Sequence, residues 1–302
     1  MFSLKNFRGY KKRPICVDLS INQSLCFGEL IKFRSKIKKI INKKSLIFLV
    51  YSNNIDFIAI YLSILNLKIV PLILNEKIHN SFLDNLKKIY KVKLIFLPKS
   101  LKNNKKYLNF SKHYSYKIMN QKSFYIDKKV ALLISTSGTT GSHKNVVCSY
   151  KNLYSSASSI STYLKISKDD KPLMTLPASY VYGLSILNSH ILKHSTIFIT
   201  SQNFLSRSFW KILEIYKITT FPLVPYQAEI LEKIKFNKFN LQFLKYITIA
   251  GGKTSLSLLS KIYKICQKKN IKLFCMYGQA EATSRISYLD PKFLPKKIGS
   301  IG

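Results

Sequence analysis

The sequence predicts an α/β protein whose sheets are largely parallel. Apolar runs of strand length alternate with helix-length segments along most of the 302 residues, which is the order of repeated βαβ units. A hydrophobic content of 47% is that of an ordinary globular protein and excludes a chain that is disordered throughout. This length accommodates either one large domain or two stacked sub-domains.

The first predicted elements lie between residues 46 and 96. Strands are expected where short apolar runs are rich in Ile, Leu, Val and Phe, and helices where longer segments separate them. The predicted order is strand 46–50, helix 55–65, strand 69–72, helix 82–90 and strand 92–96. A polar, lysine-rich passage at 100–129 follows and is predicted to connect this unit to the next.

The remainder of the chain repeats the pattern. The predicted order is strand 130–134, helix 153–164, strand 196–199, helices 209–216 and 227–234, strand 246–249, helix 256–266 and strand 272–275. We expect a first α/β sub-domain over residues 1–125 and a second over residues 126–302.

The net charge of +37 would attract nucleic acids, membranes and other anions without specificity. Of the 50 basic residues five are arginines, which leaves 45 lysines, and these are spread over the whole chain. Arginine is the residue preferred for the recognition of bases and phosphates. The lysine excess therefore indicates a compositional bias, and no specific nucleic-acid partner is expected.

The apolar segments, cysteines and histidines predict a cytoplasmic protein with no membrane span. The most apolar stretch, 57–74, is interrupted by Asn66, Lys68 and Pro71, whereas a spanning helix needs about 20 apolar residues. The basic N-terminus is not followed by an apolar core, so no signal peptide is expected. The five cysteines and five histidines show neither a disulfide framework nor metal-ligand spacing, which fits reduced thiols.

The most informative segment is the loop at 135–144, Ser-Thr-Ser-Gly-Thr-Thr-Gly-Ser-His-Lys, directly after a predicted buried strand. It combines two glycines, six hydroxyl side chains and a closing lysine. Its backbone amides, hydroxyls and cation can surround an oxygen-rich anion, so a polyphosphate is the expected ligand. A Ser/Gly turn without a ligand is the alternative. The spacing of Gly138, Gly141 and Lys144 is not that of a Walker A motif.

Four further segments accompany this loop, in order along the chain. They are Leu176–Leu184, Val224-Pro225, Ala250-Gly251-Gly252 and Met276–Thr283, which contains Tyr-Gly-Gln-Ala-Glu. With the loop, the ordered set resembles the adenylate-forming superfamily of acyl-CoA synthetases, peptide-synthetase adenylation domains and luciferases. The resemblance spans about residue 45 to residue 302 and implies two similar α/β sub-domains with helices packed between their sheets.

The resemblance also implies a role for each matched segment. The phosphate-binding residues are Thr136, Ser137, Gly138, Thr139, Thr140, Gly141 and Lys144. The adenine site is formed by Gly251, Gly252, Tyr277, Gly278 and Gln279, and the acyl pocket by Tyr180, Tyr182 and Gly183, with Ser185 at its border. Lys144 and Glu281 are the expected catalytic residues, and Glu281 is the expected Mg²⁺ ligand.

The residue types suit these roles. An aromatic ring such as that of Tyr277 can stack on a purine, and glycines let the backbone approach the edge of the ring. The negative charge of Glu281 is compatible with a neighbouring phosphate site if a cation bridges the carboxylate and the phosphates. Mg²⁺ suits this role, since it takes oxygen ligands from one carboxylate and from phosphates. Taken singly, Tyr277 is equally well explained as a core aromatic and Glu281 as an acid at a helix N-terminus.

Several positions depart from the family pattern. His143 and Asn145 stand where proline and glycine are usual, and Tyr180 replaces the usual histidine or aromatic residue. Ala280 replaces a threonine whose hydroxyl contacts the α-phosphate, and a lost transition-state donor typically costs about 10²–10³ in rate. Full-length relatives also continue past the equivalent of residue 302 into a C-terminal lid, so we expect an N-terminal portion without that lid.

The implied function is the ATP-dependent activation of a carboxylic acid as an acyl-adenylate, followed by thioesterification. The expected ligands are ATP, Mg²⁺, a small-molecule carboxylate and the acceptor thiol of coenzyme A or of an acyl carrier protein. The alternative is a truncated or degenerate half-enzyme that binds nucleotide and depends on a separate C-terminal lid chain. A third hypothesis, a basic RNA- or membrane-associated protein, predicts salt-sensitive binding that survives Lys144→Ala.

Overall fold

The computed structural model describes residues 2–101, 107–119, 124–135 and 145–302. Packing divides the chain into two compact units. The first unit comprises Met1–Cys16, Gln23–Ser155 and Pro177–Tyr180, and the second comprises Val17–Asn22, Ser156–Leu176 and Val181–Gly302.

The secondary structure alternates between helices and short strands. The α-helices are α1 (Leu4–Phe7), α2 (Phe27–Ile40), α3 (Ile55–Asn66), α4 (Asn80–Tyr90), α5 (Tyr150–Tyr163), α6 (Val181–Leu192), α7 (Arg207–Ile215), α8 (Pro225–Lys233) and α9 (Leu256–Lys268). The strands are β1 (Cys16–Asp18), β2 (Gln23–Leu25), β3 (Leu46–Val50), β4 (Val70–Leu74), β5 (Leu94–Pro98), β6 (Leu108–Asn109), β7 (Tyr114–Ile118), β8 (Val130–Ser135), β9 (Asn145–Ser149), β10 (Leu173–Met174), β11 (Ile197–Ile199), β12 (Thr220–Leu223), β13 (Tyr246–Ile249), β14 (Lys272–Tyr277) and β15 (Ser287–Leu289).

The first unit is built on a seven-stranded sheet in the order β6-β7-β5-β3-β4-β8-β9. The central strands β5, β3, β4 and β8 are parallel, while the antiparallel pairs lie at the two edges. Central strands such as Leu46–Val50 are buried along their whole length, as expected when both faces of a parallel sheet are covered. Helix α3 begins at Asn54, whose side chain accepts a hydrogen bond from the amide of Phe57 at 3.0 Å.

The second unit contains the four-stranded sheet β12-β13-β14-β15. Strands β12, β13 and β14 are parallel, and β15 is an antiparallel edge strand. Strands β10 and β11 pair in parallel, and a parallel bridge joins Pro172 to Thr220. The core of this unit includes Trp210, Phe221, Leu231 and Ile262, all nearly inaccessible to solvent.

The structure confirms the predicted α/β class and the largely parallel sheets. The passage 100–129, predicted only as a connection, contributes β6 and β7 among its described residues, because the antiparallel β7 extends the sheet beside β5. The first packing unit also runs past the predicted boundary at residue 125, since β8 and β9 belong to its sheet. Among the described residues, no helix is long and apolar enough to cross a membrane.

Candidate active site

The candidate site in the second unit lies at the carboxyl edge of β12, β13 and β14. These strands are parallel, with Leu223 opposite Ile249 and Ile249 opposite Cys275. Their carboxyl ends therefore emerge at one edge of the sheet, which is where ligands bind in open α/β sheets. Gly251 follows β13 and Tyr277 ends β14, so two of the residues predicted to bind adenine share this edge.

The two glycines after β13 leave little room for side chains. Gly251 has a φ of +89°, and a Cβ atom there would lie 3.3 Å from Cγ1 of Val224 and 3.9 Å from Cδ1 of Tyr182. A Cβ atom on Gly252 would lie 3.2 Å from Cγ of Pro225. Both glycines are exposed, so their backbone is open to a flat ligand.

The segment after β14 forms a tight loop around Gly278. A Cβ atom on Gly278 would lie 1.6 Å from the carbonyl oxygen of Ser284, so only glycine fits. The carbonyl of Gln279, which is itself exposed, accepts a hydrogen bond from the amide of Ser284 at 3.1 Å. The Tyr277 side chain is 41% exposed, so Tyr277 is not a buried core aromatic.

A short 3₁₀ helix, Ala280–Ala282, carries the predicted metal ligand. Glu281 is exposed and takes part in none of the ion pairs formed by the described residues. One accessible carboxylate suits Mg²⁺ that is held mainly by phosphates. The described part of the chain contains no cluster of three or more His, Cys, Asp or Glu side chains that could hold a metal by itself. Ala280 is buried.

Two of the predicted acyl-pocket residues, Tyr182 and Gly183, lie buried on α6. The hydroxyl of Tyr182 contacts Oγ1 of Thr248 at 2.8 Å and donates to the Thr248 carbonyl at 3.1 Å. Burial raises the pKa of Tyr182 to about 12, so the phenol stays protonated. The third residue, Tyr180, belongs to the first unit, where its hydroxyl accepts a hydrogen bond from Asn75 at 3.0 Å.

Arg285, which the motifs did not single out, lies beside the predicted acyl-pocket residue Tyr182. Its Nη1 donates to the Tyr163 hydroxyl and to Sδ of Met276, both at 2.8 Å. Its guanidinium carbon lies 5.0 Å from the centre of the Tyr182 ring, within the range of a cation–π interaction. The one signal in the sequence was composition, since Arg285 is among only five arginines in this lysine-rich chain.

Helix α6 also carries a buried histidine, His190. Its Nδ1 lies 2.9 Å from the Ile186 carbonyl and its Nε2 lies 3.3 Å from the Tyr246 hydroxyl. Burial is the main cause that lowers the pKa of His190, from 6.5 to about 4, and the charge of Arg285 contributes in the same direction. The hydrogen bond to Ile186 and the charge of Asp170 oppose this shift. His190 is therefore neutral in the folded protein at neutral pH.

This burial predicts a loss of stability in acid. Between pH 6.5 and pH 4 the unfolded chain protonates His190 while the folded chain does not, so the free energy of unfolding falls as the pH falls, by up to about 1.4 kcal/mol per pH unit. Urea unfolding across this window should show a shallower pH dependence for His190→Gln than for the wild type. Identical pH profiles for the wild type and His190→Gln would contradict the prediction.

The predicted phosphate-binding residues Thr136, Ser137, Gly138, Thr139, Thr140, Gly141 and Lys144 lie outside the described residues. The residues on either side are described. Ser135 at the end of β8 pairs with Asn145 at the start of β9, and its Oγ donates to Oδ1 of Asn145 at 2.9 Å. The side-chain nitrogen Nδ2 of Asn145 donates a hydrogen bond to the Tyr90 hydroxyl at 2.6 Å. Asn145, which replaces the usual glycine, thus has a structural role at the exit of the loop.

Comparison with known sequences identifies the family. The model of the AMP-binding enzyme family matches residues 37–302. The chain is 30% identical over 174 residues to a 2-succinylbenzoate–CoA ligase of Listeria monocytogenes serotype 4b, which covers 58% of this chain and 36% of the relative. It is 30% identical over 172 residues to the Bacillus subtilis 2-succinylbenzoate–CoA ligase, covering 57% and 34%. The matched region is thus about a third of the length of these relatives.

Solved structures have the same fold. The o-succinylbenzoate CoA synthetase of Bacillus subtilis in complex with the acyl-adenylate OSB-AMP superposes with a TM-score of 0.80 at 21% identity, covering 100% of this chain and 63% of that one. The inhibitor-bound N-terminal domain of FACL13 from Mycobacterium tuberculosis gives 0.80 at 16% identity, covering 99% and 80%. Because the family model spans most of the chain, from residue 37 to residue 302, the chain belongs to the AMP-binding enzyme family.

Proposed function

We propose that the chain activates a carboxylic acid as an acyl-adenylate at the expense of ATP and passes the acyl group to a thiol. Lys144 and the loop from Thr136 to Gly141 would hold the β- and γ-phosphates of ATP. Gly251, Gly252, Tyr277, Gly278 and Gln279 would hold the adenine, and Glu281 would hold Mg²⁺. The Mg²⁺, when bound, would neutralise negative charge on the phosphates.

The observation that carries this proposal is the convergence of two predicted sites within the second unit. Gly251, predicted to contact adenine, has its backbone beside the ring of Tyr182, predicted to line the acyl pocket, with only 3.9 Å between its Cβ position and Cδ1 of Tyr182. A nucleotide and an acid bound at these residues would be neighbours. Membership of the AMP-binding enzyme family supports the same chemistry.

The proposed reaction needs positioning and charge neutralisation more than proton transfer. A carboxylate oxygen of the acid attacks the α-phosphorus of ATP, a new phosphorus–oxygen bond forms, and the bond to the departing pyrophosphate breaks. Holding the two anions in line lowers the entropic part of the barrier. The ammonium of Lys144 and amides of its loop would stabilise the charge on the leaving pyrophosphate.

The names of the relatives supply the first substrates to test. Those relatives are 2-succinylbenzoate–CoA ligases, so 2-succinylbenzoate is the first acid and coenzyme A the first acceptor that we propose. A carrier-protein thiol is the other acceptor. Tyr180, Tyr182 and Gly183 are the residues that we propose for the acyl pocket.

Ala280 favours a second candidate, a half-enzyme that binds nucleotide but does not complete adenylation alone. The alanine is buried at the start of the 3₁₀ helix that carries Glu281, and it lacks the hydroxyl that the family places at this position. Both candidate functions require nucleotide binding, which calorimetry with ATP and Mg²⁺ tests. Saturable binding of ATP is expected, and its absence would contradict both candidates.

Replacing Ala280 with threonine is expected to raise the rate of adenylate formation. The substitution restores a hydroxyl donor for the α-phosphate, and such a donor is typically worth about 10²–10³ in rate. The rate is measured in a single turnover, with ATP affinity recorded in parallel. Ala282→Thr, at an exposed position two residues further along the same 3₁₀ helix, is the matched control and should change little. Equal rates for all three proteins would show that the missing hydroxyl does not limit catalysis.

A further inference from the structure

The loop after β14 contains two successive residues with a positive backbone φ. Thr283 ends the 3₁₀ helix Ala280–Ala282 with a φ of +56° and a ψ of +34°. The next residue, Ser284, has a φ of +116°, which residues other than glycine rarely adopt. Its side chain is buried. A strained conformation of this kind persists only where the surrounding structure holds it in place.

Helix α5 makes contacts on both sides of Ser284. Oγ of Ser156 donates a hydrogen bond to the Thr283 carbonyl at 2.9 Å, and the Tyr163 hydroxyl accepts one from Nη1 of Arg285 at 2.8 Å. Ser156 and Tyr163 are about two helical turns apart, so both lie on the same face of α5. Together they form a clamp, the α5 clamp, on the residue before Ser284 and the residue after it.

The clamp is itself anchored to the sheet of the second unit. The Tyr163 hydroxyl donates to Sδ of Met276 on β14 at 3.3 Å. The Tyr163 ring stacks on the ring of Tyr288 on β15, with 4.0 Å between the ring centres. The α5 clamp therefore holds the loop against a rigid part of the fold.

The clamped loop carries Glu281, the proposed Mg²⁺ ligand. Glu281 lies in the middle of the 3₁₀ helix that ends at Thr283. Its carboxylate is exposed, and none of the ion pairs formed by the described residues includes it. No such pair fixes the carboxylate, so its position depends on the backbone of the loop. A loop that relaxed at Thr283 and Ser284 would present Glu281 differently.

We propose that Ser156 and Tyr163 are positioning residues, which hold this loop in the strained conformation that brings Glu281 to the Mg²⁺ of bound ATP. This inference rests on the proposed function. Both residues act through the loop and not on the reacting atoms. Without the clamp the loop would relax, and the Mg²⁺-dependent part of the ATP affinity would fall while the fold remained.

The first test needs no ligand. The amides of Thr283 and Ser284 donate to the carbonyls of Ala280 and Gln279 at 2.9 and 3.1 Å, so hydrogen exchange at these amides reports on the loop. Ser156→Ala should speed their exchange by about 2- to 10-fold, the range expected for one hydrogen bond. Ser159→Ala, at an exposed position on the same helix, should not. Wild-type exchange in Ser156→Ala would overturn the inference.

The second test links the clamp to the metal through ATP calorimetry, once with Mg²⁺ and once with EDTA. Ser156→Ala and Tyr163→Phe should each weaken ATP binding by about 2- to 10-fold with Mg²⁺ and leave the binding in EDTA unchanged. Ser156→Thr, which keeps the hydroxyl, should bind ATP like the wild type. Glu281→Gln should remove the same Mg²⁺-dependent affinity, and Ser156→Ala added to it should cause no further loss.

The other outcomes distinguish this inference from the proposed function. Equal losses with Mg²⁺ and with EDTA would indicate a general structural role for the clamp and overturn the inference. Additive losses in the double variant would show that Ser156 does not act through Glu281. Failure of the wild type to bind ATP in either condition would reject the proposed function, whereas a wild type that binds ATP beside an unaffected Ser156→Ala would reject the clamp alone.

Discussion

Replacing Gly278 with alanine is expected to lower the free energy of unfolding by about 3 kcal/mol or more, at or beyond the upper end of the range for overpacking. The added methyl group would lie 1.6 Å from the carbonyl oxygen of Ser284, 2.6 Å from its carbonyl carbon and 2.9 Å from Cα of Arg285. All three are backbone atoms, so no side-chain rotation relieves the clash. The loop that presents Glu281 and Arg285 would have to rearrange.

Urea unfolding of the purified variant measures this effect. Gly28→Ala is the matched control, because Gly28 is exposed within α2 and a Cβ atom there would meet nothing within 4 Å. That control is expected to change the free energy of unfolding little, since Gly28 lies in the first turn of α2 and the added methyl group meets no atom within 4 Å. Similar changes in both variants would contradict the packing described around Gly278.

Replacing Lys144 with alanine is expected to slow acid-dependent adenylate formation by about 10²–10³. The prediction rests on the motif, in which Lys144 closes a loop of two glycines and six hydroxyl residues. A cation placed against a polyphosphate stabilises the charge of ATP and of the departing pyrophosphate. The pairing of Ser135 with Asn145 brings the two ends of this loop together, as a compact phosphate-binding loop requires.

Single-turnover kinetics and ATP calorimetry measure the effect of Lys144→Ala. Lys268→Ala removes the same charge from the exposed end of α9 and controls for the general loss of positive charge. We expect Lys144→Ala to weaken ATP binding and Lys268→Ala to leave it unchanged at moderate salt. Equal, salt-sensitive losses in both variants would favour the hypothesis of a basic protein that binds anions without a specific site.

Strands and helices with a clear hydrophobic pattern were predictable from the sequence. The strands 46–50 and 246–249 are predicted and observed with the same bounds, because buried apolar runs of this length have few alternatives. Helix α6 was not predicted, since it is buried on nearly every side and so lacks the polar face that marks a surface helix. Strand β12, which contains Pro222, was not predicted; it lies at the edge of its sheet, where a proline is tolerated.

The site was predictable where motifs fix short-range geometry. The motif glycines Gly251 and Gly278 lie where a side chain is disfavoured, by a φ of +89° at Gly251 and by a clash with the Ser284 carbonyl at Gly278; Tyr277 ends the strand before Gly278. The position of Arg285 could not be predicted, because it is set by contacts with Tyr163, Tyr182 and Ser185, which are distant in sequence. Tertiary contacts of this kind leave no local pattern in a single sequence.

The measurement that tests acid adenylation most directly is the exchange of labelled pyrophosphate into ATP, with Mg²⁺ and a panel of mono- and dicarboxylic acids that includes 2-succinylbenzoate. We predict exchange that requires an acid and is lost in Lys144→Ala. ATP binding without exchange would support the half-enzyme. The absence of both exchange and ATP binding would contradict the proposed function.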